Sequence, residues 1–236
     1  MKLYYDLHLH SCLSPCGSED MTPANLAAMC ALAGLNVVAL TDHNTCGNCA
    51  PFCRAAQERG LVALAGMELC TCEEIHVICV FPTPAQAERF EAQISPRFGL
   101  GQNDPDIFGH QLYMDEGDLI LGEDPRMLAA PTQIPLAQVP ALVAAHGGFS
   151  WPAHIDRPAF SLLGVLGVWD PELDFPAAEL SHSCPPEFSQ RQDLAGLRFL
   201  HNSDAHYLDQ IWSAQYTMDL PEPTPQAALR WLKSGA

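Results

Sequence analysis

Apolar positions along this chain switch repeatedly between a strand-like and a helix-like spacing. Leu3, Tyr4 and Tyr5 open a run of strand-favouring side chains, which predicts a first strand over residues 2–9. A helix follows over 23–34, with Thr22 as its N-cap, Pro23 in its first turn and Gly34 at its end. NVVALTDH (36–43) predicts a second strand, and residues 50–60 a second helix closed by Gly60. LVALAGMEL and EIHVICVF predict strands three and four, and PTPAQAERFEAQI a helix entered through prolines. Farther on, LAQVPALVAAHGG predicts a helix. FSWPAH, AAELSH and LRFLHNSDAH predict three more strands, and PTPQAALRWLKS a C-terminal helix. Seven strands alternating with helices predict parallel pairing and an α/β fold.

Residues 95–135 interrupt the alternation with Gly, Asn, Asp and Pro and no sustained period. The stretch is too long for an ordinary connection, so it reads as an insertion between strands four and five, serving as a partly helical lid. At 236 residues, with 48% of them hydrophobic, the chain suits a single domain over 1–236.

Charge and cysteines narrow the function. The net charge is −17 and Lys plus Arg total 11, so no extended basic track for nucleic acid is expected. No apolar run is long enough to predict a membrane span. The N-terminus enters a strand at once, which argues against a secretory signal. Ten cysteines without such a signal are expected to be reduced, in a cytoplasm. Cys46-Gly47-Asn48-Cys49 has the spacing of a redox or metal motif, but no second pair matches it; a structural role is the plainer reading.

Candidate chemistry gathers at the predicted strand ends. Alternation within a strand puts Asp6, His8 and His10 on one face. Asp42 and His43 end strand two, and Glu68 ends strand three. His76 lies in strand four and His154 ends strand five; Asp204 and His206 end strand seven. In a parallel barrel these ends meet at one mouth, where active sites sit. So many ionisable groups at one mouth call for ions, and imidazole with carboxylate suits zinc, manganese or iron.

DLHLHS, LTDHN, the glutamate of GMEL, the histidine of EIHV, PAHIDRP and NSDAH resemble the PHP (polymerase and histidinol phosphatase) family, in order and over nearly the whole chain. The resemblance implies a distorted seven-stranded (β/α)7 barrel with a trinuclear metal centre, and two or three bound divalent metal ions are expected. It implies His8, His10, Glu68 and Asp204 as ligands of one metal. Glu68 would bridge to a second metal held by His76 and His154, and His43 and His206 would hold a third. Where many relatives have a further loop ligand, this chain has Pro15; Asp20 is the expected replacement, with Glu19 and Cys16 as alternatives. Asp6 and Asp42 are expected to orient neighbouring histidines. Arg157 is a candidate phosphate contact, with a surface ion pair as the competing reading. His182 is a candidate proton donor, with a satisfied core histidine as the competing reading.

The function this implies is a metal-dependent phosphoesterase. It would hydrolyse a small phosphorylated substrate, a phosphomonoester or nucleotide, by attack of a metal-bridging hydroxide. The alternatives are a 5′-3′ exonuclease or oligonucleotide phosphodiesterase, a non-catalytic metal-binding module, and hydrolysis of a C–N bond.

Overall fold

A computed structural model describes residues 1–99 and 101–234. The first half contains β1 (Lys2–Leu9), α1 (Pro23–Leu32), β2 (Val37–Leu40), α2 (Cys49–Glu58), β3 (Val62–Cys70), β4 (His76–Phe81) and α3 (Pro84–Ile94). After it come α4 (Pro105–Phe108), β5 (Leu112–Met114), β6 (Ile120–Glu123), α5 (Val139–Ala145), β7 (Phe149–Pro152) and α6 (Leu162–Leu166). β8 (Ala177–Leu180), β9 (Arg198–His201), β10 (Thr217–Asp219) and α7 (Pro225–Ser234) complete the order. The expected first helix is present, and the Thr22 side chain caps it by accepting from the Asn25 amide.

Six strands form a curled half-barrel sheet in the order β10-β1-β2-β3-β4-β7. β1, β2 and β3 are mutually parallel, but β4 runs antiparallel to both β3 and β7, so the sheet is mixed where parallel pairing was expected. The reason is local. Only Thr71–Ile75 separate β3 from β4, far short of the dozen or more residues that a parallel crossover needs. The turn closes with Thr71 N–H donating to the Ile75 carbonyl and with Glu74 at φ 61°. This reversal puts His76 at the start of β4, directly across from Cys70.

β8 and β9 form a separate parallel pair, and β10 adds an unexpected antiparallel edge to β1. The sheet order is therefore not one seven-stranded ladder. Pro152 ends β7 and Pro176 precedes β8, and neither can donate a ladder hydrogen bond. Instead the Ile155 N–H donates to the Glu179 carbonyl (2.9 Å), and His10 N–H to the Ala205 carbonyl (3.1 Å). These contacts tie the β8–β9 pair to the ends of β7 and β1.

Every residue of β3 is buried, as expected of a central strand covered on both sides. One apolar layer joins Leu26, Phe52, Met67, Phe81 and Phe90 beneath the helices; a second joins Leu7, Leu64, Ile78 and Trp151 and is closed by Leu229 and Leu232 of α7. Within 95–135, where Leu100 lies outside the described residues, the β5–β6 hairpin packs on the loops that follow β1 and β2. Leu112 N–H donates to the Cys12 carbonyl, and the Asn48 amide bonds both Leu112 and Met114.

Candidate metal centre

Glu68, near the end of β3, is the hub. Its Oε1 lies 3.4 Å from His8 Nε2, 3.0 Å from His76 Nδ1 and 3.2 Å from His154 Nε2. Its Oε2 lies 3.3 Å from His10 Nε2 and 3.1 Å from His43 Nδ1. Asp204 Oδ1 completes the wall, 3.1 Å from His8 Nε2 and 3.3 Å from His10 Nε2. Among the described residues, three groups have the convergence a metal ion needs. They are His8–His10–Glu68–Asp204, His43–Glu68–His76 and His10–His43–His206. His154 reaches the same cluster through Glu68.

Five imidazole nitrogens face one carboxylate, and a neutral imidazole has only one N–H to give. The mismatch is visible atom by atom. His43 Nδ1, both ring nitrogens of His76, His154 Nδ1 and Asp204 Oδ1 are buried without a hydrogen-bond partner. Such orphans are rare in a folded chain and mark a strained or ligand-bearing site. Divalent cations supply what these atoms lack, and an imidazole–carboxylate set fits zinc, manganese or iron. The backbone is strained at the same place: His154 has φ 30° and Asp204 φ 54°, both in the left-handed region.

Burial works against every charge here, and the neighbours decide the balance. Against that burial, the imidazoles of His76, His8 and His43 hold Glu68 well below the usual carboxylate range. Burial drives His43 well down and His206 down to about 4. His10 rises to about 9, because hydrogen bonds to Asp204 and Glu68 outweigh its burial. The cluster thus keeps its carboxylates ionised and some imidazoles neutral, which is the state that ligates metal.

Around the cluster lies a layer of orienting groups. Glu179 in β8 escaped the sequence reading and is prominent in the structure. Its Oε1 lies 2.8 Å from His8 Nδ1, while its Oε2 accepts from Asn202 Nδ2 (2.6 Å) and Trp151 Nε1 (3.3 Å). The signal was an ionisable residue inside the apolar strand AAELSH. Asp42 accepts from the Ser11 and Ser14 hydroxyls, and Ser14 Oγ lies 2.9 Å from His10 Nδ1. Asp42 therefore reaches a histidine through a serine. Asp6 accepts from the backbone N–H of His8 and of Ser203, so it fixes main chain rather than an imidazole.

The remaining candidates lie at the rim or away from it. Arg157 donates to Asp204 Oδ2 at 2.7 Å and lines two clefts beside the cluster, of about 410 and 280 Å³. His182 is exposed, 5.1 Å from the Trp212 ring, and lines the larger cleft. Asp20 is exposed and belongs to none of the three groups; Glu19 is exposed as well. Cys16 is also exposed at its surface. Its thiol is pushed up to about 12 by desolvation and then by the Glu68 charge.

The PHP domain profile matches residues 6–138. No curated protein matches the chain. The fold is similar to that of the lesion-specific endonuclease PfuEndoQ from Pyrococcus furiosus, at TM-score 0.71 and 17% identity. That match covers 99% of this chain and 56% of the endonuclease, so the chain spans little more than half its length. A protein described as a metal-dependent phosphoesterase from Bifidobacterium adolescentis matches at TM-score 0.59 and 18% identity, covering 98% of this chain and 96% of that one. An amidohydrolase from Chromobacterium violaceum with bound sulfate matches at 0.60 and 20%, with the same coverage of 98% and 96%. At these identities the likeness is one of fold.

Proposed function

The chain belongs to the PHP domain family, and from that premise we propose that it is a metal-dependent hydrolase of phosphoester bonds that acts on a small phosphorylated molecule at the Glu68 cluster. The observation that carries the reading is the convergence of five imidazole nitrogens on one buried carboxylate, with orphaned ring nitrogens around it. We assign His8, His10, Glu68, Asp204, His43, His76, His154 and His206 to hold two or three divalent ions. Zinc, manganese and iron all suit this donor set. Bound there, the ions supply an activated water and neutralise the phosphoryl oxygens.

The chain's own residues do the rest. Glu179 fixes the ring orientation of His8, and Ser14, anchored on Asp42, fixes that of His10. Arg157 holds the outer oxygen of Asp204, which aims Oδ1 at His8 and His10. The same guanidinium borders both clefts and can take a phosphate oxygen through its second nitrogen. His182, in the larger cleft, is our candidate to protonate the departing oxygen. We propose that residues 95–135 set substrate choice, because the hairpin within them packs on loops bordering the cluster. Ten free cysteines suit a reducing cytoplasm.

A small substrate is favoured over a polymer because a chain of net charge −17 offers no track for a polyanion. One observation favours a second reading, phosphodiester hydrolysis: the clefts flank Arg157 and leave room for a substituent on either side of a phosphate. Turnover by metal-loaded protein separates the two. Phosphomonoesters, mononucleotides and short oligonucleotides are compared, with elemental analysis of the same sample. Preference for the monoesters supports the first reading; hydrolysis confined to diesters replaces it with the second. No turnover with a full complement of metal rejects both.

A further inference from the structure

His76 is held differently from His8 and His10. Each of those two has a hydrogen-bond partner behind the ring: Glu179 at His8 Nδ1 (2.8 Å) and Ser14 at His10 Nδ1 (2.9 Å). Such a partner is what ordinarily fixes the orientation of a ligating imidazole. His76 has none among the described residues: its Nδ1 faces Glu68, and its Nε2 is buried and unpaired. Rings surround it instead. The Phe160 ring stacks on it at 4.9 Å and 26° between planes, and the His43 and His154 rings stand at 5.1 and 5.4 Å.

The main chain of Phe160 is committed to the same residue. Its carbonyl accepts from the His76 N–H at 3.0 Å. In that arrangement Phe160 has φ 53°, a left-handed conformation in which a bulky side chain is an outlier. The next residue enforces it. Ser161 is buried at the N-terminus of α6, where its hydroxyl donates to the Arg157 carbonyl and accepts from the Gly164 N–H. Burial does not account for the ring, because Phe160 is 43% exposed and gains little apolar contact in return. Strain of this kind persists only where the surroundings over-determine it, and it clusters at functional sites.

Resting on the ion assignment above, we infer that Phe160 is a positioning residue: its ring takes the place of the missing hydrogen bond and fixes the His76 imidazole toward the ion shared with His43 and Glu68. A flat face against the imidazole opposes its rotation about the Cβ–Cγ bond, which would carry Nδ1 away from Glu68.

The test titrates metal-free protein with zinc against a chromophoric chelator, and needs no turnover. Phe160→Leu is expected to weaken one bound zinc ion about tenfold or more and to leave the others as they were. Phe160→Tyr, which keeps a flat ring, should restore that ion. In a His76→Ala background Phe160→Leu should change zinc binding no further, because its route through His76 is gone. The ring contact is read separately, by nuclear magnetic resonance of the metal-free protein. The His76 Cε1–H signal, identified by its loss in His76→Ala, should move downfield in Phe160→Leu as the stacked ring is removed. Equal weakening of every ion overturns the inference, as does failure of the tyrosine to restore binding or an effect that survives in the His76→Ala background. An unmoved His76 signal overturns it while leaving the metal centre standing. If the wild type binds no zinc, the ion assignment fails and this inference falls with it, even where the signal moves.

Discussion

Two buried clusters of metal-binding residue types lie close together in this molecule, and they behave in opposite ways. Around Glu68, imidazoles and carboxylates meet with unpaired nitrogens and strained backbone. At the start of α2, Cys46 and Cys49 sit beside Cys79 of β4, each almost wholly buried. Here the thiols find partners in ordinary backbone. Cys49 Sγ lies 3.3 Å from the Gly66 carbonyl, and Cys79 Sγ lies 3.6 Å from that of Val77. Burial pushes the Cys46 and Cys79 thiols up, so they stay neutral. No cysteine belongs to a three-ligand group among the described residues. Ligand-type side chains therefore do not make a metal site by being buried together. Around Glu68 unpaired lone pairs converge on an ionised carboxylate, as a metal ion would require, whereas a neutral thiol packs as a small apolar group.

The sharpest way to break this comparison is to disarm the hub. Glu68→Gln keeps the shape but turns one oxygen into an N–H donor facing imidazoles. Activity is expected to fall about a thousandfold, and metal content with it, because several kcal/mol of charge stabilisation are lost. Near-normal kcat/KM with full occupancy in this variant would show that Glu68 is not a ligand.

Next in size is the support behind the hub. Glu179→Gln should weaken metal affinity about 10–100-fold, the usual cost of losing an orienting carboxylate, while the chain stays folded. Competition against a chelator measures it. Unchanged affinity would assign Glu179 to holding Trp151 and Asn202 alone.

The thiol side should respond in stability and not in metal. Cys49→Ala removes the sulfur packed against Gly66 and Leu40 and is expected to cost about 1–3 kcal/mol in urea unfolding. Its metal content should equal that of the wild type. A lost ion would make the two clusters one site.

The smallest effect is expected at the loop after β1. Asp20 is exposed and its side chain reaches no cluster atom, so Asp20→Ala should leave the metal count as it was. Loss of one ion in elemental analysis would show that this loop closes on the cluster when metal is bound.

The strand-end motifs were legible in the sequence because their residue types are improbable there. Two histidines on alternate positions after an apolar run, or an aspartate and histidine closing another, are costly unless something binds them. Helix boundaries at Thr22–Pro23 and Gly34 were legible because capping is local chemistry. Strand direction was not read correctly, although the five residues between Cys70 and His76 carried the clue: too short a link for a crossover. Other features had little or no local signature. Glu179 faces His8 across 171 residues, and Arg157 meets Asp204 between separate loops. Sequence alone determined which residues could not lie buried without a partner. Only the tertiary structure decided which of them share one, because pairing across the sheet is set by strand direction and loop closure, and neither is written in any single segment.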